Sequence, residues 1–262
     1  MTSPADPESP PTIPAATLVT FRHGGDAGLP PELLMVVRSH DMRFAGGAAV
    51  FPGGRIDPAD HELARRLATA LDPEDAAARI GAIRETLEET GLAVGLAGAL
   101  DGAAASEARA MLHECGELAP VLEAFDWHLR LDTLVPFARW IPRGLSHNRI
   151  FDTRFYLADL GTGAVDIQVD ATENTHLFWT SAAAALERAD AGEIKVIFPT
   201  RRNLERLAQF GSFAEARAHA QATPIVPITP QIVQRDGQRM LTIPADAGYP
   251  VVEEDIDSAM RG

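Results

Sequence analysis

Arg84-Glu85-Thr86-Leu87-Glu88-Glu89-Thr90-Gly91-Leu92 is the stretch on which the reading of this chain turns. An α-helix advances about 3.6 residues per turn, which puts Glu85, Glu88 and Glu89 at i, i+3 and i+4 on one face. Arg84 stands four residues before Glu88, beside the same stripe. Carboxylates this close repel one another, each pair by about as much as a helical ion pair attracts. A divalent cation would relieve the repulsion, and a set of oxygen ligands suits Mg²⁺ or Mn²⁺. A solvated acidic face on an amphipathic helix is the other reading, and these nine residues alone leave both open.

The context upstream decides between them. Phe51-Pro52-Gly53-Gly54 forms a glycine turn ahead of the acidic helix. Together the two segments resemble the Nudix box of the Nudix hydrolases, G-x5-E-x7-R-E-U-x-E-E-x-G-U, where U is an apolar aliphatic residue. Counted from Gly54, this chain departs from the box in three ways. Asp60 stands where the first Glu is expected, and Thr86 replaces the first U. Twenty-three residues rather than seven separate Asp60 from Arg84, an insertion of sixteen. The carboxylate-bearing half is intact, so the departures bear on loop geometry more than on chemistry.

Composition bounds the rest. The chain has 262 residues, 46% hydrophobic and 23% charged, as in an ordinary globular protein. A net charge of −14 argues against nucleic acid or an anionic membrane as partner. An anionic substrate then needs a local metal or arginine site. The single cysteine, Cys115, excludes an internal disulfide and reads as a small buried apolar residue in a reducing compartment. No run of 18 apolar residues and no basic-then-apolar leader is read, so the expected location is cytoplasmic.

Taken in order, residues 1–14 are rich in Pro, Ser and Asp and read as a disordered tail. Ala15–Phe21, Glu32–Arg38 and Gly46–Phe51 read as strands. Asp57-Pro58 opens a helix over about 58–70, and Asp72-Pro73 opens the acidic helix, whose apolar stripe is Ala76, Ala77, Ile80, Ile83 and Leu87. Gly91 ends it. The insertion, about residues 61–76, is thus explained by one additional helix. Residues 103–130 read as a helical cap, in which His113, Glu114 and His128 lack a metal-ligand spacing and read as surface or satisfied polar groups. Strands are expected at Leu134–Ile141, Thr153–Leu160 and His176–Thr180. Helices are expected from Ser181 to about Asp190, over Thr200–Phe210 and over 212–221. Phe178, Trp179 and Phe198 read as core rather than as an adenine-stacking shelf. Gln231–Val233 and Met240–Ile243 flank Asp236-Gly237, a hairpin signal. The domain is therefore bounded at about 15–210, with 211–262 an extension that completes the sheet, covers the site or makes a homodimer contact.

A second pattern precedes the box. Arg38-Ser39 through Gly54 (RSHDMRFAGGAAVFPGG) resembles the extra signature of the coenzyme A diphosphatase branch, R-S-x-x-apolar-R-x-x-x-G-E-x-x-F-P-G-G. Arg38, Ser39, Met42, Arg43, Gly47, Phe51 and Pro52 fall in register, while Ala48 replaces the Glu. Guanidinium groups at Arg38 and Arg43 suit bidentate phosphate contact. The long insertion, and Trp140-Ile141-Pro142 with Arg149–Phe155 downstream, resemble the peroxisomal acyl-CoA diphosphatases.

The resemblance implies an α/β/α sandwich around a mixed sheet. It also implies hydrolysis of coenzyme A or an acyl-CoA to 3′,5′-ADP and a 4′-phosphopantetheine. Glu85, Glu88, Glu89 and a carbonyl of the Gly53-Gly54 turn would hold Mg²⁺ or Mn²⁺. Arg84 would orient the carboxylates; Arg38, Arg43 and Gly53 would meet the substrate. Glu85 or a loop carboxylate, Glu173 before Asp170, would serve as base; an exposed loop acid is the other reading of that pair. ADP-ribose, NADH and dinucleotide polyphosphates are the rival substrates. A ligand-sensing module is the rival class, although such modules typically lose box carboxylates retained here.

Overall fold

The computed structural model describes residues 11–23, 28–39, 46–143, 149–160 and 174–259. β1 (Thr12–Arg22) and β2 (Glu32–Arg38) are followed by two short strands, β3 (Ala49–Val50) and β4 (Gly53–Arg55). Helices α1 (Pro58–Arg66) and α2 (Pro73–Thr90) come next. After β5 (Leu96–Ala97) lie α3 (Gly102–Cys115) and α4 (Leu118–Phe125), then β6 (His128–Leu129), β7 (Val135–Trp140), β8 (Ile150–Asp159) and β9 (Asn174–Ser181). The chain finishes with α5 (Ala182–Asp190), α6 (Phe198–Leu207), α7 (Phe213–Ala222), β10 (Pro227–Ile228), β11 (Gln231–Arg235), β12 (Gln238–Thr242), β13 (Glu253–Asp255) and α8 (Ile256–Ala259).

The main sheet runs β10-β7-β8-β1-β2-β3, with β4 also on β1 and β9 also on β2. It is mixed, because β1 pairs with β8 and β10 with β7 in parallel while the other pairs are antiparallel. Alternation along the strands splits the core in two. Ala16, Leu18, Leu34 and Tyr156 face a cluster with Ile80, Ile83 and Leu87 of α2 and Ala108 and Leu112 of α3. Val19, Phe21, Leu33, Met35 and Leu157 face the other, with Ala185, Leu204 and Ala216 of α5, α6 and α7. The result is the expected α/β/α sandwich.

Sequence and structure differ at several boundaries. β1 begins at Thr12, and Thr12–Pro14 pair with Ile150–Asp152, so the strand takes in the end of the segment read as a tail. The third strand shrinks to Ala49–Val50, and the first inserted helix stops at Arg66. The helical reading of 103–130 breaks into two helices and then β6, which pairs with β5. Cys115 is exposed, not buried: it is the last residue of α3, beyond the stretch that Ala105, Ala108 and Leu112 pack. The segment after residue 211 is no appendage: Ala216, Ala220, Ile228, Leu241 and Tyr249 share the sheet's core. Asp236 (φ 51°) and Gly237 (φ 83°) turn the β11–β12 hairpin as their sequence requires. No described helix is long and apolar enough to cross a membrane.

Candidate active site

The acidic helix is fixed at both ends by its own sequence. The Asp72 carboxylate accepts from the amides of Glu74 (3.0 Å) and Asp75 (3.2 Å), and Pro73 occupies the first turn. Gly91 leaves the helix at φ 73°, its amide on the Leu87 carbonyl. Thr86, polar where an apolar residue was expected, is wholly buried and donates its hydroxyl to the Ala82 carbonyl at 2.7 Å. The hydroxyl is satisfied inside its own helix, and its methyl still packs.

Arg84 is the hub. Its side chain is buried, and every N–H of the guanidinium is used. Nε and Nη2 donate to Asp60 at 3.1 and 3.0 Å, Nη2 also to the Arg55 carbonyl at 2.8 Å, and Nη1 to Glu85 at 2.9 Å and Glu88 at 3.4 Å. Asp57 stands 3.2 Å from Nη2. Burial opposes the charge on Arg84, but the Asp60 hydrogen bond and the Glu85, Asp60 and Asp57 charges outweigh it and push its pKa upward. Asp60 is therefore a full partner, despite being one methylene shorter than Glu and 24 residues from Arg84. It is placed at the start of α1, where it also accepts from the Asp57 amide at 2.9 Å. Gly81 makes the approach feasible, since a Cβ there would lie 3.1 Å from Asp60 Oδ2.

The glycine turn closes on the carboxylates. The Gly53 amide donates to Glu89 at 3.0 Å, and a Cβ on Gly53 would meet the Ala16 carbonyl at 2.5 Å. A Cβ on Gly54 would stand 2.5 Å from both oxygens of Glu85, so only glycine fits beside that carboxylate. Burial pushes Glu85 up to about 7; Arg84 pulls it down, and Glu88 and Asp57 add to the rise. The C-terminal end of α2 is held from α3: Arg109 donates to the carbonyls of Glu88 (2.8 Å) and Glu89 (3.1 Å). His113 Nδ1 lies 3.8 Å from Glu88 Oε1, so this histidine, read as a surface or satisfied polar group, borders the cluster.

The structure thus brings Arg84, Glu85, Glu88, Glu89, Gly53 and Gly54 together. Arg38 ends β2 beside Asn174 of β9, with its Nε buried and, among the described residues, without a hydrogen-bond partner. Arg43, Asp170 and Glu173 lie outside the described residues. Asp57 was read only as the start of a helix, and Gly81 and Arg109 were not singled out from sequence. Of these only Gly81, a glycine inside a helix of good helix formers, carries a signal of close approach. Phe198 is core, as expected, and Phe178 and Trp179, partly buried beneath Arg188 and Arg22, pack against the two core clusters.

Among the described residues, no three His, Cys, Asp or Glu side chains already converge as a metal cage. The donor set nevertheless fits a hard divalent cation. Asp57, Asp60, Glu85 and Glu88 are oxygen donors gathered around one arginine, Glu89 stands on the Gly53 amide, and the burial of Glu85 opposes its ionisation.

No protein-family model matches the chain. It is 27% identical to the acyl-coenzyme A diphosphatase of Gallus gallus over 84% of this chain and 73% of that protein. It is 29% identical to a crystallised Nudix hydrolase from Alicyclobacillus acidocaldarius, with a TM-score of 0.69 over 80% of this chain and 96% of that one. In its sandwich, its arginine-centred carboxylates and these likenesses the chain resembles a Nudix hydrolase. Within that class the chain resembles the acyl-CoA diphosphatase branch.

Proposed function

We propose that this enzyme is a metal-dependent diphosphatase that cleaves coenzyme A or an acyl-CoA to 3′,5′-ADP and the corresponding 4′-phosphopantetheine. One observation carries the reading: a largely buried carboxylate, Glu85, fitted against Gly54 and tied through Arg84 to Glu88. The likeness to the acyl-CoA diphosphatase of Gallus gallus and the Arg38–Gly54 signature support the choice of substrate.

Glu85, Glu88, Glu89 and a carbonyl of the Gly53-Gly54 turn would hold Mg²⁺ or Mn²⁺. Such an ion supplies charge neutralisation at the diphosphate and a more acidic water. The chain's own residues do the rest. Glu85, set by Arg84 and the glycine turn, takes the proton of the attacking water. Arg84 fixes Glu85 and Glu88 through Nη1, so both carboxylates keep one orientation. Arg38 and Arg43 bind substrate phosphates, and Glu173 is the alternative base. A soluble nucleotide is the partner this chemistry needs.

Ala48, standing where the coenzyme A signature has Glu, favours a second reading in which ADP-ribose, NADH or a dinucleotide polyphosphate is cleaved. A panel of coenzyme A, acetyl- and long-chain acyl-CoA, ADP-ribose and NADH, each with Mg²⁺ or Mn²⁺ and with chelator, separates them. Chelator-sensitive release of 3′,5′-ADP is the expected result. Preference for ADP-ribose or NADH would overturn the substrate and retain the box chemistry.

A further inference from the structure

Lys195 is the only lysine in the chain; the other 22 basic residues are arginines. It lies between α5 and α6, bridged in parallel to Ala48, and its carbonyl accepts from the Ala49 amide at 2.7 Å. On the opposite side the Ala48 carbonyl accepts from the Arg38 amide at 3.0 Å. Arg38, Ala48 and Lys195 therefore stand in one row across three neighbouring segments.

Their side is set by their neighbours. Val37 and Ala49 are paired, and both belong to the core under α5, α6 and α7, as does Val196. Side chains alternate along extended chain, so Arg38, Ala48 and Lys195, each one step away, face the other side. That is the side of Leu34 and of α2. Ala48 is five residues before Gly53, so at most about 18 Å of extended chain separates this row from the glycine turn.

Two cations flank an uncharged, wholly buried methyl group here. Lys195 is exposed, and among the described residues no carboxylate pairs with it; the adjacent Glu193 is engaged by Arg188 at 3.4 Å. Among the described residues, the buried Nε of Arg38 has no acceptor. A glutamate at position 48 would neutralise the pair from within, and Ala48 leaves that place to an outside anion. Backbones two strands apart are about 10 Å from each other, which long cationic side chains can close around a phosphate.

We propose that Arg38 and Lys195 bind, across Ala48, a phosphate monoester that the substrate carries apart from its diphosphate. The inference rests on the coenzyme A reading above and deepens it: the group is the ribose 3′-phosphate, and Lys195 determines specificity for it. In a chain of net charge −14, local cations of this kind are what a further dianion requires.

A chain with one lysine allows a direct test. Reductive ¹³C-methylation keeps the charge and yields one ε-dimethylamine NMR signal, identified by its loss in Lys195→Arg. In chelator, coenzyme A is expected to shift that signal saturably, and 3′-dephospho-coenzyme A at least about tenfold more weakly, the scale of one charge-assisted contact. Equal shifts by both compounds, or by neither, overturn the proposal. In turnover, the preference for coenzyme A over the dephospho compound, as a ratio of kcat/KM, should fall about tenfold in Lys195→Ala and recover in Lys195→Arg. An unchanged ratio overturns it as well. A lysine signal that responds selectively in an enzyme that hydrolyses neither compound would sink the proposed function and leave this anion site standing.

Discussion

Glu85 is placed where a carboxylate gains least from being charged. Burial raises it from 4.5 to about 7 against the pull of Arg84. An acid whose folded pKa exceeds its unfolded value binds a proton in the native state that the unfolded chain has already lost. Stability is therefore full below about pH 4.5 and falls as pH rises toward 7, by on the order of 3 kcal/mol. Urea unfolding in chelator should show that decline, and Glu85→Gln should flatten it. The same slope in both proteins would assign the titration to another group. Gly54 makes a second prediction at this scale. Gly54→Ala must displace the Glu85 carboxylate, and a shift of about 1 Å at a reacting group costs about a hundredfold in rate. Activity should collapse while the unfolding midpoint moves little; equal loss of both would point to misfolding instead.

Helix α2 was legible because its signals are local. Asp72-Pro73 starts it, Gly91 stops it, and the apolar stripe between them repeats at helical spacing. What surrounds it was not legible in the same way. Asp60 meets Arg84 only because α1 and the residues after it loop out and return, a closure that no periodicity encodes. Arg109 is further still from any pattern, since it reaches α2 from a separate helix to hold the carbonyls of Glu88 and Glu89. A buried cation at a helix C-terminus favours the local dipole and satisfies carbonyls that the helix leaves open. Arg109→Ala should cost about 1–3 kcal/mol in chemical denaturation and lower kcat more than KM. Arg109→Lys should restore part of both. A variant as stable and active as the parent would show that α3 merely covers the site.

Across the whole molecule, the sheet keeps the box on one face and a second core on the other. The alternation of strand and helix signals agreed with the layers that the resemblance implied, but did not show that the last fifty residues belong to that second core. Trp140 Nε1 donates to Tyr249 Oη at 2.9 Å, and Tyr249 donates to Asn203 Oδ1 at 2.6 Å, all buried. This contact joins residues 109 apart in sequence, beyond the reach of any local rule. Tyr249→Phe leaves two buried polar atoms unpaired and should cost about 1–3 kcal/mol, read from the urea midpoint. An unchanged midpoint would mean that packing alone holds the C-terminal segment.

The account rests on the three carboxylates of α2 acting with a divalent ion on a diphosphate. The most direct measurement is the initial rate of 3′,5′-ADP release from coenzyme A, with Mg²⁺ and with chelator, in the parent and in Glu88→Gln of matched unfolding midpoint. The account predicts a rate abolished by chelator and reduced about a hundredfold or more by the substitution. A Glu88→Gln variant that keeps the parent's metal-dependent rate would contradict it.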